Sequence, residues 1–192
     1  MPGSTTDNPA QNQNWNTALK YIAGRKAAEE SLGFVAHVST TVRETADQNV
    51  VIPAVARTCV PFFASAVSLD ARPLHSEPVV QGPEELTVVI GALRGLAADT
   101  EGRQLVISEH QGFGQQTDPR HLELLRGGNV DSAVVIRLDY RGLSGGLLVF
   151  VREKKHRRGS FSPGDLALAS EVADRVAAFN AFTSQLTASS GK

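Results

Sequence analysis

The segment at residues 131–151 constrains this chain more than any other. Two near-continuous apolar runs, Ala133 to Ile136 and Leu147 to Val151, flank a tight turn at 139–142. Unbroken apolar runs of that length belong to strands covered on one face and partly on the other. A helix seed at 121–126 and a glycine turn at Gly127 and Gly128 precede the pair. A capped helix follows. Ser162 is placed to cap it, Pro163 fits its first turn, and Asp165 completes a capping-box-like arrangement. Helix, strand, strand, helix in this order points to an open sheet carrying helices and argues against a catalytic barrel.

The flanking sequence supplies the remaining elements. Residues 15–46 follow a helical period, with Leu19, Ile22, Ala23 and Lys26 on one face and Val35, Val38 and Val42 on a later one. Gly24 and Gly33 weaken this segment and divide it into one helix or two. A further helix is expected over 50–56 with Pro53 near its start. A buried strand is expected at 64–69, and a short one at Val79 and Val80 within a Pro- and Gly-rich loop. Residues 83–98 form a helix with Pro83, Glu84 and Glu85 at its positive end. Residues 104–108 form a strand, and 110–120 a polar loop. In the last helix Leu166, Ala169, Val172, Ala173, Val176 and Phe179 make one apolar stripe. The class is α+β: a central antiparallel sheet with helices packed on it, plus an N-terminal helical extension.

Residues 1–14 are too rich in Asn, Gln, Thr, Pro and Gly to order themselves and are expected to be a disordered tail. An extension over 15–34, a domain over 35–186 and a flexible end at 187–192 complete the division. No basic and apolar leader opens the chain, and no apolar run approaches the ~20 residues that span a bilayer. The single cysteine, Cys59, excludes an internal disulfide and a Cys-based zinc site and fits a reducing cytosol. A cytoplasmic protein is expected, with no membrane partner. The formal net charge of −1 does not point to nucleic acid as a partner.

From residue 35 to about 183 the pattern resembles a GAF domain. A His-Leu helix start at His121 and Leu122, a glycine turn, a Ser132-Ala133-Val134 strand and a Gly145-Gly146-Leu147 strand follow one another as in the common bacterial form. The start of the last helix, Phe161 to Leu166, and the segment at 91–108 are similar too. The resemblance implies a small-ligand sensor that pairs through its terminal helices. Pro119, His121 and Leu122 also match the Pro-x-His-Leu segment of phytochrome-type GAF domains. In that group a bilin is attached at a cysteine, where this chain has Thr117. The signature of cyclic-nucleotide GAF domains is absent, and one cysteine argues against the methionine sulfoxide reductase members.

The expected pocket is lined by Val67, Val106, His110, Phe113, His121, Leu125, Val134 and Ile136. His121 has the chemistry to donate to a carbonyl or to ligate haem iron, and Phe113 to stack on a planar ligand. The plainer roles are a helix-start histidine bonded to backbone and a phenylalanine pinning a loop. Glu109, His110 and Asp118 match no metal spacing, and Ser108 with the same His and Asp lacks a nucleophile elbow. Gly142, Gly145 and Gly146 are turn and bulge glycines with no phosphate-loop Lys after them. Cys59, among Val55, Val60 and Phe62, is a small buried hydrophobe. The basic run Arg152, Lys154, Lys155, Arg157 and Arg158, with His156, suits phosphate, nucleic acid or an acidic partner, but its expected state is a solvated loop.

The function expected is a non-enzymatic sensing or regulatory module in signal transduction. It would bind an unidentified small molecule, pair as a homodimer through helices 15–46 and 163–186, and pass its state to a signalling partner. The alternatives are a small enzyme or a haem- or bilin-binding protein using His110 or His121, and a scaffold whose pocket is filled by side chains. A tetrapyrrole is the one cofactor weighed, and an aromatic content of 6% counts against it.

Overall fold

The computed structural model describes residues 9–45, 47–72, 77–98, 102–109 and 118–190. In chain order these form α1 (Pro9–Glu44), α2 (Gln48–Cys59), β1 (Ala66–Ala71), β2 (Val79–Gln81) and α3 (Glu85–Ala98). Then come β3 (Gln104–Ser108), α4 (Pro119–Gly127), β4 (Val130–Tyr140), β5 (Leu143–Glu153) and α5 (Pro163–Ser190). The strands make one antiparallel sheet in the order β2-β1-β5-β4-β3. The expected α+β architecture is therefore present, with the 131–151 hairpin as β4 and β5 at its centre.

Alternation along the strands gives the sheet two apolar faces. Val67, Leu69, Val134, Ile136, Leu148 and Phe150 pack with α1, α2 and α5. Ala66, Ala133, Val135, Val149 and Val151 pack with α3 and α4. Four phenylalanines bind the first layer together. Phe63 stacks on Phe34 at 5.1 Å, meets Phe150 edge-on at 4.9 Å, and lies 5.7 Å from Phe161.

The last helix starts as its sequence dictates. Ser162 Oγ accepts from the Asp165 amide at 3.2 Å, and Asp165 Oδ2 accepts from the Ser162 amide at 3.0 Å. Its stripe of Ala169, Val172, Ala173 and Val176 is buried. Two glycines hold close approaches. A Cβ on Gly128, beyond α4, would lie 2.3 Å from Val89 Cγ2 of α3. A Cβ on Gly146 would lie 2.0 Å from the Asp70 carbonyl, and this residue has φ +118°.

The helical ends run further than expected. α1 is a single helix of 36 residues that begins at Pro9, inside the expected tail. Gly24 and Gly33 do not break it. Nothing lies within 4 Å of where their Cβ atoms would be, so each costs only its propensity, about 1 kcal/mol. Once nucleated, a helix extends one bond per residue through such positions. α5 likewise runs to Ser190, beyond residue 186.

Candidate functional site

The α3–α4 face carries polar groups inside an apolar layer. Ser68 and Asp70 alternate with the buried Val67 and Leu69 along β1, so their side chains point to the α3 side with Ala66. Asp70 is 3% exposed. Its Oδ2 accepts from Arg94 Nη2 of α3 at 3.0 Å, and its Oδ1 faces Arg72 Nε at 3.2 Å. The Ser68 hydroxyl and Arg94 Nε are buried without a hydrogen-bond partner. Two unsatisfied polar atoms beside one buried ion pair are costly unless a further group meets them.

α4 borders this face. Asp118 caps it, accepting from the Arg120 amide at 2.8 Å. The side-chain and backbone hydrogen bonds from Arg120 pull the Asp118 carboxyl down to about 2. Leu125 is buried in the α3–α4 layer and His121 is half-buried one turn earlier. Val67, Val134 and Ile136 belong to the opposite layer. Val106 pairs with Val134 and shares its face. The structure therefore brings Val67, Val106, Val134 and Ile136 together on one side and sets Leu125 on the other. His110 and Phe113 lie outside the described residues. Strand alternation told which residues share a face. It did not tell which helical layer covers that face.

The remaining candidates have structural partners. Glu109 pairs with Arg126, and Asp118 with Arg120. Among the described residues no group of three or more His, Cys, Asp or Glu is placed to hold a metal ion. Cys59 is buried, and burial pushes its thiol up to about 12.

The basic run is not a uniformly solvated loop, and this corrects the expectation for its first and last members. Arg152 ends the Leu148–Phe150 side of β5 and is fully buried. Its Nε donates to the Phe63 carbonyl at 2.8 Å, and its Nη1 donates to Asp165 Oδ2 at 3.0 Å. The guanidinium sits 4.0 Å from the Phe161 ring centroid. Arg158 Nη2 donates to Asp165 Oδ1 at 2.8 Å. Burial works against the Asp165 charge, but hydrogen bonds from Arg152, the Ser162 amide and Arg158 outweigh it. They hold the carboxyl well below the usual carboxylate range. His156 Nε2 lies 3.1 Å from the Pro61 carbonyl and Nδ1 accepts from the Arg158 amide at 3.3 Å. Those two bonds select the neutral Nε2–H ring. Burial, partly opposed by the Pro61 carbonyl, moves its pKa below the ordinary value.

Comparison with known proteins matches this architecture. Three solved structures share the fold. The GAF domain of a phosphoenolpyruvate-protein phosphotransferase from Coxiella burnetii aligns with a TM-score of 0.56 at 20% identity, covering 84% of this chain and 98% of that one. An N-acylhomoserine lactone dependent LuxR family transcription factor from Burkholderia cenocepacia aligns with a TM-score of 0.54 at 11% identity, covering 79% and 96%. The chromophore-binding domain of a bacteriophytochrome from R. palustris aligns with a TM-score of 0.57 at 10% identity, covering 83% and 63%. At these identities the likeness is one of fold. No curated protein matches the sequence. No helix among the described residues is long and apolar enough to cross a membrane. The GAF domain family matches residues 34–178, three quarters of the chain, and the protein belongs to that family.

Proposed function

We propose that this GAF domain is the sensing module of a signalling protein, taking a small molecule between the sheet and the α3–α4 layer. GAF domains are in general sensory or regulatory modules. The observation that carries the proposal is the pair of buried, unpartnered atoms on that face, Ser68 Oγ and Arg94 Nε. A small ligand carrying a hydrogen-bond acceptor would satisfy both. Of the candidate pocket residues, Leu125 and His121 stand on this side.

The module works as a homodimer in this proposal. Trp15, Leu19 and Ile22 recur at helical spacing on α1 and are 68%, 54% and 60% exposed. Phe182 and Leu186 do the same on α5 at 61% and 50%. Apolar stripes on both terminal helices suit pairing of two copies.

Native mass spectrometry with an absorption spectrum from the near-ultraviolet to the red tests the ligand. Extra mass that is lost in Arg94→Met supports the pocket. A Soret or red band identifies the ligand as a tetrapyrrole and transfers interest to His121. Exact chain mass, together with no thermal shift from a panel of small carboxylates, amides and nucleotides, overturns the ligand proposal. Sedimentation tests the pairing: Leu19→Glu with Ile22→Glu is expected to give monomer where the parent chain gives dimer.

A further inference from the structure

We infer that the groove between the β5–α5 loop and the turn after α2 is a docking site for an acidic peptide segment of a partner protein. The groove has a volume of about 610 Å³ and lies at the end of the sheet where β1 begins and β5 ends. Val60, Pro61, Phe62 and Pro83 give it apolar walls, and Lys155 and Arg157 form its cationic side.

Charge chooses the occupant. Residues 152–165 hold five basic side chains against two carboxylates, in a chain whose formal net charge is −1. Arg152 and Arg158 are consumed by Asp165. Lys155 and Arg157 are exposed and have no carboxylate partner among the described residues. Arg157 rests 4.9 Å from the Phe62 ring centroid, which fixes its guanidinium at the groove without neutralising it. One carboxylate, Glu153, also lines the groove, and Glu84 and Glu85 follow Pro83 outside the lining. The acid of an occupant is therefore assigned to the Lys155 and Arg157 side, and its apolar side chain to Val60, Phe62 and Pro83.

The groove is built before anything binds. His156 is held to the Pro61 carbonyl, joining the two walls, and Arg152 Nη1 donates to the carbonyls of Gly159 and Ser160 at 3.3 and 3.2 Å. The Ser65 hydroxyl, 8% exposed, accepts from the Glu153 amide at 3.0 Å and retains its own proton for an occupant's carbonyl. A loop tied at so many points loses little entropy on binding. This site lies apart from the α3–α4 face, so it stands whether or not the ligand proposal does.

The test is selection of random short peptides displayed on phage against the full-length chain. Selected peptides are then synthesised and titrated by fluorescence polarisation. The expected result is a consensus of Asp or Glu beside a bulky apolar residue. Its binding weakens roughly tenfold in Lys155→Glu with Arg157→Glu, less in the paired Gln variants, and not in Lys20→Glu on α1. Hydrogen exchange should slow at 60–65 and 153–157 on binding. Both substituted side chains are exposed, so the variants are expected to keep the parent circular dichroism and melting temperature. No enrichment, a consensus without acids, or binding indifferent to Lys155 and Arg157 overturns the inference.

Discussion

Arg152 Nη1 lies 3.0 Å from Asp165 Oδ2, with the two side chains 0% and 5% exposed. The pair joins the end of β5 to the first turn of α5. Asp165 also closes the capping box with Ser162. The charge is dispersed further over the Phe63 and Phe161 rings and the Phe63 carbonyl. Removal of one partner from such a pair leaves a buried charge. Arg152→Leu is expected to lower stability by about 3–5 kcal/mol in urea unfolding. Arg152→Leu combined with Asp165→Leu should cost less than the two single changes added together. Strict additivity would show that the two residues act independently.

Gly146 gives the second prediction. Its φ of +118° and the Asp70 carbonyl 2.0 Å from a would-be Cβ both oppose a side chain. Gly146→Ala should cost about 3 kcal/mol or more, from backbone strain together with overpacking at the β1–β5 pairing. Gly142→Ala makes the comparison. Its φ is +81° but nothing lies within 4 Å, so about 1 kcal/mol is expected. Equal costs would mean that the close approach to Asp70 is absent in solution.

His156 gives a pH dependence. Its folded pKa is below the ordinary 6.5, with burial as the first cause, so the fold favours the neutral ring. The stability it contributes is present above the unfolded pKa and is lost as pH falls through the folded one. Unfolding free energy should therefore decline from about pH 7 toward pH 5 more steeply in the parent chain than in His156→Gln. Parallel profiles would exclude a role for this ring.

Cys59 should be silent toward thiol reagents. A buried thiol raised to about 12 holds almost no thiolate at neutral pH. Reaction with a chromogenic disulfide should be negligible in the native protein and immediate in denaturant. Rapid native reaction would require an opening of the α2 region that its burial does not allow.

Much of this fold was written in local pattern. Unbroken apolar runs around a tight turn marked β4 and β5, and Ser162 with Asp165 marked the start of α5, because period and capping are properties of neighbouring residues. Tertiary structure decided what local pattern does not encode. Arg152 stood in a charged run, and charged runs are ordinarily solvated. Its place two residues after Phe150, on the same face of β5, was the signal that it enters the core. The candidate pocket residues divided between two faces because alternation gives sidedness but not the identity of the covering helices. The groove joins residues 60–62 to 155–157, some ninety positions apart, and only the pairing of β1 with β5 brings those segments together.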